Sequence, residues 1–554
     1  MTLRIKDIEI PVINDSPDEM LVSHVASMLE VRPEDLIGLK IRKKSLDARR
    51  KARIVYHYHV DVDLHDEDRI YASKSSVTTK VEMPPAQSPL DGLGAESFEL
   101  KRPPVIIGSG PAGIFAALTL ALAGQRCIIV ERGEPVEKRL RTVGKLRRNG
   151  EFSEESNYCF GEGGAGTFSD GKLTCGRNHP LIKFLFDKWV EFGAPESILY
   201  DAHPHIGTDY LLQIAKRQRS YLEEMGSEFV FGRRFVDLKS DPEGARYLVE
   251  LDDGTKIPTD HVVLAIGHSA RDTYQMLLDR GLAIAPKPFA MGARFEHPQG
   301  DIDKIQFGSC RLLPPAEYKL VAHAGERGIW TFCMCPGGHL LPTNAQANHL
   351  AINGMSYHAR SSGFANAAIV VNVLREDFYR GHPLDGMRFQ EEIERQAFIA
   401  GGRNYHSPAQ RLQDFMVARE STGVFNTTYK PGVASARLDK IMPSFIVDAL
   451  RHAVVDYDKK MRGFINKDAL IVGVETKTSS PIVMPRDKTL QSVSHPGLFP
   501  SGEGAGFAGG IVSASLDGVR VGRALLDEAI VSGLIEKKPS YGILRAKQEA
   551  TINI

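Results

Sequence analysis

Cysteine is scarce in this chain. Its 554 residues hold six, Cys127, Cys159, Cys175, Cys310, Cys333 and Cys335. So thin a supply excludes a secreted scaffold built on disulfides and suits a reducing cytoplasmic compartment. Net charge is absent too: 69 basic side chains balance 69 acidic ones. No whole-molecule field therefore draws the chain to nucleic acid or to an anionic membrane. The start, Met1 to Ile10, alternates charged and aliphatic residues without an apolar core, so no signal peptide is expected. Val105 to Val130 is nearly uncharged and about long enough to span a bilayer. It begins and ends in β-branched runs and is broken by four glycines, which a strand, turn, helix and strand explain better than a membrane span. What remains is an ordinary globular composition, 42% hydrophobic and 25% charged. The length implies about two to four domains.

Residues 1–95 read as a small, separate α+β domain. Leu3 to Val12 and Ile54 to Leu64 alternate as strands do, and Ser16 to Glu30 reads as a capped amphipathic helix. A linker rich in Pro, Gly, Ser and Ala follows from Pro84 to Glu99. The basic run Lys40, Arg42, Lys43, Lys44, Arg49, Arg50, Lys51 and Arg53 has two readings. It is a solvated face, or, as the lesser alternative, a surface for nucleic acid. No aromatics are interleaved with it, and an acidic group follows at Asp61, Asp63, Asp66, Glu67 and Asp68. Beyond the linker, residues 103–286 hold the nucleotide chemistry. Residues 287–467 mix helices and strands without a second complete glycine fingerprint. Residues 468–533 return to strand, glycine turn and helix, and 534–554 form a C-terminal tail.

Val105, Ile106 and Ile107 make a buried strand, followed by Gly108, Gly110 and Gly113 in G-x-G-x-x-G spacing. Pro111 and Ala112 open the helix that continues through Ile114 to Leu122. In such a unit the first glycine permits a tight turn, the second lets backbone approach a diphosphate, and the third lets helix pack on strand. The free N–H groups and positive dipole end of the helix suit phosphate. Cys127 to Val130 is the next strand. Glu131 at its end is expected to accept the ribose hydroxyls of an adenosine, and an acid there disfavours a 2′-phosphate. Glu131, Arg132 and Gly133 form an acid–basic–glycine turn of the kind FAD proteins carry. Several short strands lie between Phe229 and Ile266, with a hairpin signal at Asp253-Gly254, and end in a turn at Gly267 and His268. Near the C-terminus, Gly497 to Gly506 contains a glycine followed by an acid, Gly502 and Glu503, placed to meet the ribityl or diphosphate end of a cofactor. Gly509 and Gly510 then open the helix Ile511 to Leu526. In the FAD folds that this segment resembles, the N-terminus of such a helix points at the pyrimidine edge of the flavin.

Across 103–286 and 468–533 these features resemble the glutathione-reductase-type FAD superfamily. More closely, the chain resembles a bacterial group described only as FAD-dependent dehydrogenases or NAD-utilising FAD proteins. That resemblance is carried by Gly161 to Leu173, Thr331 to Gly338 and Asn353 to Ser356. It implies an α/β fold: a discontinuous Rossmann-like FAD-binding domain with an inserted α+β substrate domain. The leading reading is an FAD-dependent oxidoreductase transferring a hydride at flavin N5, with a small-molecule substrate or electron donor; since only one complete dinucleotide fingerprint is present, NAD(H) or NADP(H) is expected to bind at most transiently. The resemblance brings no substrate, and the oligomeric state stays open. The competing readings are an RNA-associated flavoprotein and a non-enzymatic FAD redox sensor.

Within Gly161 to Leu173, the small residues Gly163, Gly164, Ala165 and Gly166 allow close backbone approach to a ring or phosphate. Thr167, Ser169 and Lys172 are candidate donors to flavin heteroatoms, and Lys172 is a candidate catalytic residue. Cys333 and Cys335 form Cys-x-Cys, read either as a redox pair or as pocket lining; this spacing strains an intrachain disulfide. Zinc is not expected without a second matching pair. Of the histidines that invite an acid–base role, His203, His205 and His268, the last sits in the closing turn and is the one expected at the cofactor.

Overall fold

The computed structural model describes residues 2–12, 17–81, 87–93, 98–174, 176 and 178–537. The proposed cap Ser16, much of the linker, Cys175 and the tail beyond 537 lie outside the described residues.

The region that carries the glycine fingerprint is built on a parallel sheet of five short strands. Their order is Leu498–Pro500, Val262–Leu264, Val105–Ile107, Ile128–Glu131 and Glu228–Phe231. A strand from near the C-terminus thus closes one edge of a sheet whose other strands come from the first half of the chain. The strands are apolar on both faces because both are covered. Ile106, Ile129, Val263 and Phe499 point into a core shared with the helices Pro111–Leu122 and Ile511–Val531. Val105, Ile107, Val130, Val262 and Leu264 point to the opposite core, against the antiparallel sheet Phe235–Ser240, Tyr247–Leu251 and Lys256–Thr259. Each such side chain, fully buried, contributes about 1.5–3 kcal/mol. The two helices touch through small residues: a Cβ on Gly518 would lie 2.1 Å from the Ala112 carbonyl oxygen, and one on Gly522 2.9 Å from that of Ala116.

A seven-stranded sheet forms the second large layer. Its order is Val321–Ala324, Arg327–Cys335, Phe364–Val373, Phe289–Pro298, Leu470–Glu475, Ser407–Arg411 and Val433–Ser435. Helices Asp385–Ala400 and Ser444–Lys460 pack their apolar stripes on it. The return to the nucleotide region was expected at Asp468. Leu470–Glu475 instead pairs with Phe289–Pro298 and Ser407–Arg411, so the chain leaves the second sheet only after Glu475. A fully buried strand reads alike whichever sheet it joins.

At the N-terminus, four strands take the order Leu36–Asp47, Val55–Leu64, Thr2–Pro11 and Thr78–Val81. The basic run therefore lies in its first half, Lys40 to Lys44, on a strand that periodicity did not suggest, and from Arg49 to Arg53 in the turn after it. Much of its charge is met locally: Arg42 and Arg4 bond Asp61, Lys44 bonds Asp18, Arg49 bonds Asp47 and Arg53 bonds Glu9. Nor does this unit stand apart. Ile54 joins the core of the seven-stranded sheet, and the Lys44 backbone exchanges hydrogen bonds of 2.8 Å with Tyr200 and Ala202. Part of the expected tail is also ordered: Ile535–Lys537 pairs with Phe98–Leu100. Among the described residues, no helix is long and apolar enough to cross a membrane.

Candidate functional site

A long cleft, enclosing about 1760 Å³ including its open mouth, runs between the five-stranded and seven-stranded layers. At its floor the glycine turn after Val105–Ile107 adopts the expected geometry. Gly108 has φ +103°, and a Cβ there would lie 2.4 Å from the Ala265 carbonyl oxygen. Gly110 is the N-cap of Pro111–Leu122 and has no side-chain cap, so the first N–H groups of that helix are left for another acceptor. A Cβ on Gly110 would meet nothing closer than 3.8 Å, because the residue borders the cleft. Gly113 faces away: its Cβ would lie 2.0 Å from the Gly108 carbonyl oxygen, so it serves helix–strand packing and does not line the cleft.

The second long helix, Ile511–Val531, also begins at the cleft, capped by Gly510 without a side-chain bond. The segment 161–166 brings the two helix starts together. Gly163 N–H donates to the Ser109 carbonyl at 3.1 Å. Gly164, at φ +63°, lies so close to Gly110 that its Cβ would be 3.0 Å from the Gly110 Cα. Gly166 sits between Pro111 and Ile511. Arg139, fully buried on the helix Val136–Asn149, shapes this segment by donating to the carbonyls of Asn157, Gly161, Glu162 and Gly164. Burial lowers its guanidinium to about 10. Sequence reasoning missed Arg139, since an arginine on a helix reads as surface.

Glu131 departs from expectation. Its Oε1 accepts from the N–H groups of Gly133 (2.9 Å) and Gly161 (3.0 Å), and its Oε2 from Ser109 N–H (3.1 Å) and Ser109 Oγ (2.7 Å). Four donors fill the acceptor sites of a carboxylate. The side chain clamps three loops together, and a ribose hydroxyl reaches it only by displacing the Ser109 hydroxyl, the one donor of the four that can rotate away. Arg132 stacks on Phe160 with its guanidinium 4.1 Å from the ring centroid and pairs with Glu155 and Asp272.

Two further turns meet at the cleft. Tyr274 is buried, and its hydroxyl lies 2.8 Å from both the Gly267 and the Gly504 carbonyl oxygens, which share its single proton. This joins the closing turn to the Gly502–Gly506 turn. His268 Nδ1 lies 3.1 Å from Glu503 Oε1, and both residues line the cleft. Gly502 does not: its N–H donates to Asp517, and its Cβ would lie 2.7 Å from the Ala112 Cβ.

Ala165 lines the cleft beside the helix starts, and Ser169, Lys172, Cys333, Cys335 and Asn353 line it as well. Thr167, a candidate donor to flavin, is buried away from the cleft, its Oγ1 donating to the Glu162 carbonyl. The Ser169 hydroxyl is likewise spent on the Gly166 carbonyl at 2.7 Å. Lys172 Nζ lies 3.5 Å from Glu317, which also bonds His203. Burial would raise the Glu317 carboxyl, but His203 and Lys172 bring it down to about 2. Asp170 next to Lys172 behaves alike: burial opposes ionisation, and Arg360 keeps it below the usual carboxylate range. His205 stacks on His358, and neither it nor His203 lines the cleft.

Cys333 sits where the strand Arg327–Cys335 slips register against Phe364–Val373. Its φ of +41° is left-handed, and its carbonyl is held at 2.8 Å by the buried Arg294, which is paired with Glu475. Such a bulge re-aims a side chain, here toward the cleft. Both cysteines are free thiols. Burial pushes Cys335 up to about 12; Cys333 is exposed at the cleft surface, and the protein around it raises its thiol to a lesser degree.

The donor set suits a dinucleotide: a glycine turn, two uncapped helix starts with room before them, and an acid-bearing turn between. Residues 104–141 match the family described as FAD binding domain. Residues 288–478 match "FAD-dependent protein, C-terminal domain-like", and residues 2–63 match a domain of unknown function, DUF8436. An uncharacterized protein of Clostridium beijerinckii is 40% identical over 535 residues, covering 95% of this chain and 99% of that protein. Among solved structures, the halogenase PltM is 12% identical over 79% of this chain and 71% of its own, with a TM-score of 0.37. Glycine oxidase from Geobacillus kaustophilus is 10% identical over 80% of this chain and 97% of its own, with a TM-score of 0.31. Likenesses this distant do not bear on activity.

Proposed function

The chain belongs to the same family as the Clostridium beijerinckii protein, and from that premise, with its match to an FAD binding domain, we propose that it is an FAD-dependent oxidoreductase. One observation carries the reading: two long helices from distant parts of the chain begin uncapped at the same cleft, bridged by a glycine-rich segment. FAD, when bound, supplies two-electron chemistry at flavin N5. The turn Gly108–Gly113 and the start of Pro111–Leu122 hold the diphosphate. The turn at Glu503 holds the ribityl end, and the start of Ile511–Val531 favours negative charge on the pyrimidine edge. Lys172, Cys333 and Asn353 line the cleft and would face a flavin ring held there. In domain terms, 103–286 and the segment from 476 to 533 form the cofactor domain, and 287–475 is inserted into it. A small-molecule substrate would enter between them, where a bound flavin would supply hydride-transfer chemistry.

Heat release of flavin from purified protein, followed by chromatography, is expected to yield FAD; FMN alone would sink the assignment. Anaerobic reduction with NADH, NADPH and a metabolite panel then identifies the electron partner. A flavin that none of them reduces argues against the oxidoreductase reading.

A further inference from the structure

One stretch of the cleft wall has no part in this cofactor reading. Lys477 and Thr478 follow the strand Leu470–Glu475 and, with Thr343, line the cleft. The Lys477 side chain is only 5% exposed. Among the described residues, its Nζ and the hydroxyls of Thr343 and Thr478 have no hydrogen-bond partner. Three buried donors left unused among the residues that line one cleft are unusual, since native buried polar groups are nearly always paired.

The charges point the same way. The ionic contact of Lys477 is Glu394 Oε1 at 3.4 Å, at best a long and weak hydrogen bond. That carboxylate is already held by Arg271 through two bonds of 2.9 Å and by Thr476 Oγ1 at 2.6 Å. The next acid, Glu391, lies 3.7 Å from Arg271 Nε and is partly open to solvent. Two buried cations thus share one buried carboxylate. Burial, and then Arg271, disfavour the charged form of Lys477. The Nζ is shielded from solvent, and an anion brought against it from the cleft would restore the balance.

We propose that Lys477, Thr343 and Thr478 form a subsite for an anionic oxygen, carboxylate or phosphate, of the molecule that reacts in the cleft. The proposal rests on the cleft being the reaction site. The FAD diphosphate offers the same chemistry, but it has its own donors in the glycine turn and helix starts, so the anion is assigned to the substrate.

The test titrates FAD-loaded and FAD-free protein with inorganic phosphate and with acetate, followed by flavin absorbance and by melting temperature. Saturable binding of at least one probe is expected. Lys477→Met should weaken it about tenfold or more, as loss of a charge-assisted hydrogen bond does, with FAD content unchanged. Its FAD-free melting temperature should not fall, because Arg271 still neutralises Glu394. Thr343→Val with Thr478→Val, which leaves every charge in place, should weaken the probe about threefold or more. The proposal is overturned if neither probe saturates or if Lys477→Met binds as wild type does. Loss of FAD from Lys477→Met would assign the amine to the cofactor diphosphate and overturn it equally. A variant that melts earlier or fails to fold would make Lys477 a structural partner of Glu394 and would likewise overturn the subsite. Should the wild type hold no FAD at all, the cofactor reading fails, while titration of the FAD-free protein still decides the subsite.

Discussion

Glu131→Gln separates two roles for the acid that follows the second strand of the nucleotide unit. If Glu131 serves chiefly as a ribose acceptor, the substitution costs cofactor affinity and leaves the FAD-free fold alone. The geometry gives another answer. Each carboxylate oxygen accepts two hydrogen bonds, from Gly133 and Gly161 on one side and from the Ser109 N–H and hydroxyl on the other. Glutamine turns one of these oxygens into a donor. The least costly placement puts the amide toward Ser109, whose hydroxyl can rotate to accept, but the Ser109 N–H is then left facing a donor while buried. One stranded N–H costs about 1–3 kcal/mol, and the remaining bonds lose their charge assistance, so the loss totals roughly 2–4 kcal/mol. For a domain of this size that is a fall of roughly 5–10 °C in melting temperature. Calorimetry of the FAD-free protein measures it. An unchanged FAD-free transition together with weakened FAD binding would refute the clamp and restore the ribose role.

The glycines of the fingerprint should divide by what their missing Cβ would meet. Gly110→Leu should fold, since the nearest atom to its Cβ is 3.8 Å away, yet lose flavin because its side chain fills the cleft floor; Gly113→Ala should fail to fold, with its Cβ 2.0 Å from the Gly108 carbonyl oxygen. Circular dichroism and flavin content check both, and a flavin-replete Gly110→Leu would contradict the assignment. Stability should also depend on pH through His205, His297 and His339, each lowered by burial to about 4. Unfolded histidine titrates near 6.5, so the unfolded chain gains protons first as the solution is acidified. Their contribution is fully present above about pH 6.5 and is lost as pH falls toward 4. Melting temperature measured from pH 7.5 downward should decline over that window, and His297→Gln should flatten the decline; an identical slope in the variant would remove His297 from the account.

Much of the nucleotide unit was legible because its determinants are local. A β-branched triplet, three glycines at fixed spacing and an apolar helix lie within one short stretch, Val105 to Leu122, and each acts through the conformation of its own backbone. The hairpin at Asp253-Gly254 and the glycine–acid turn at Glu503 are local in the same sense. The choice of partner is not local, and there the tertiary structure decided. Leu470–Glu475 is apolar enough for either sheet, and only pairing with Phe289–Pro298 and Ser407–Arg411 assigns it. The basic strand Leu36–Asp47 lacks an apolar rhythm because Asp18 and Asp61, distant in sequence, take up charge that would otherwise face water. Glu131 was recognisable as an acid at a strand end, but its donors come from three separate loops. Cys333 reaches the cleft through a register slip that no spacing rule encodes. Lys477 is a single lysine among polar neighbours in sequence; its burial, its missing partner and its excess charge exist only once Arg271, Glu394 and Thr343 have been folded around it. Backbone preference is carried by each residue and its neighbours, whereas hydrogen-bond and charge balance in a core depend on side chains that the chain brings together from far apart.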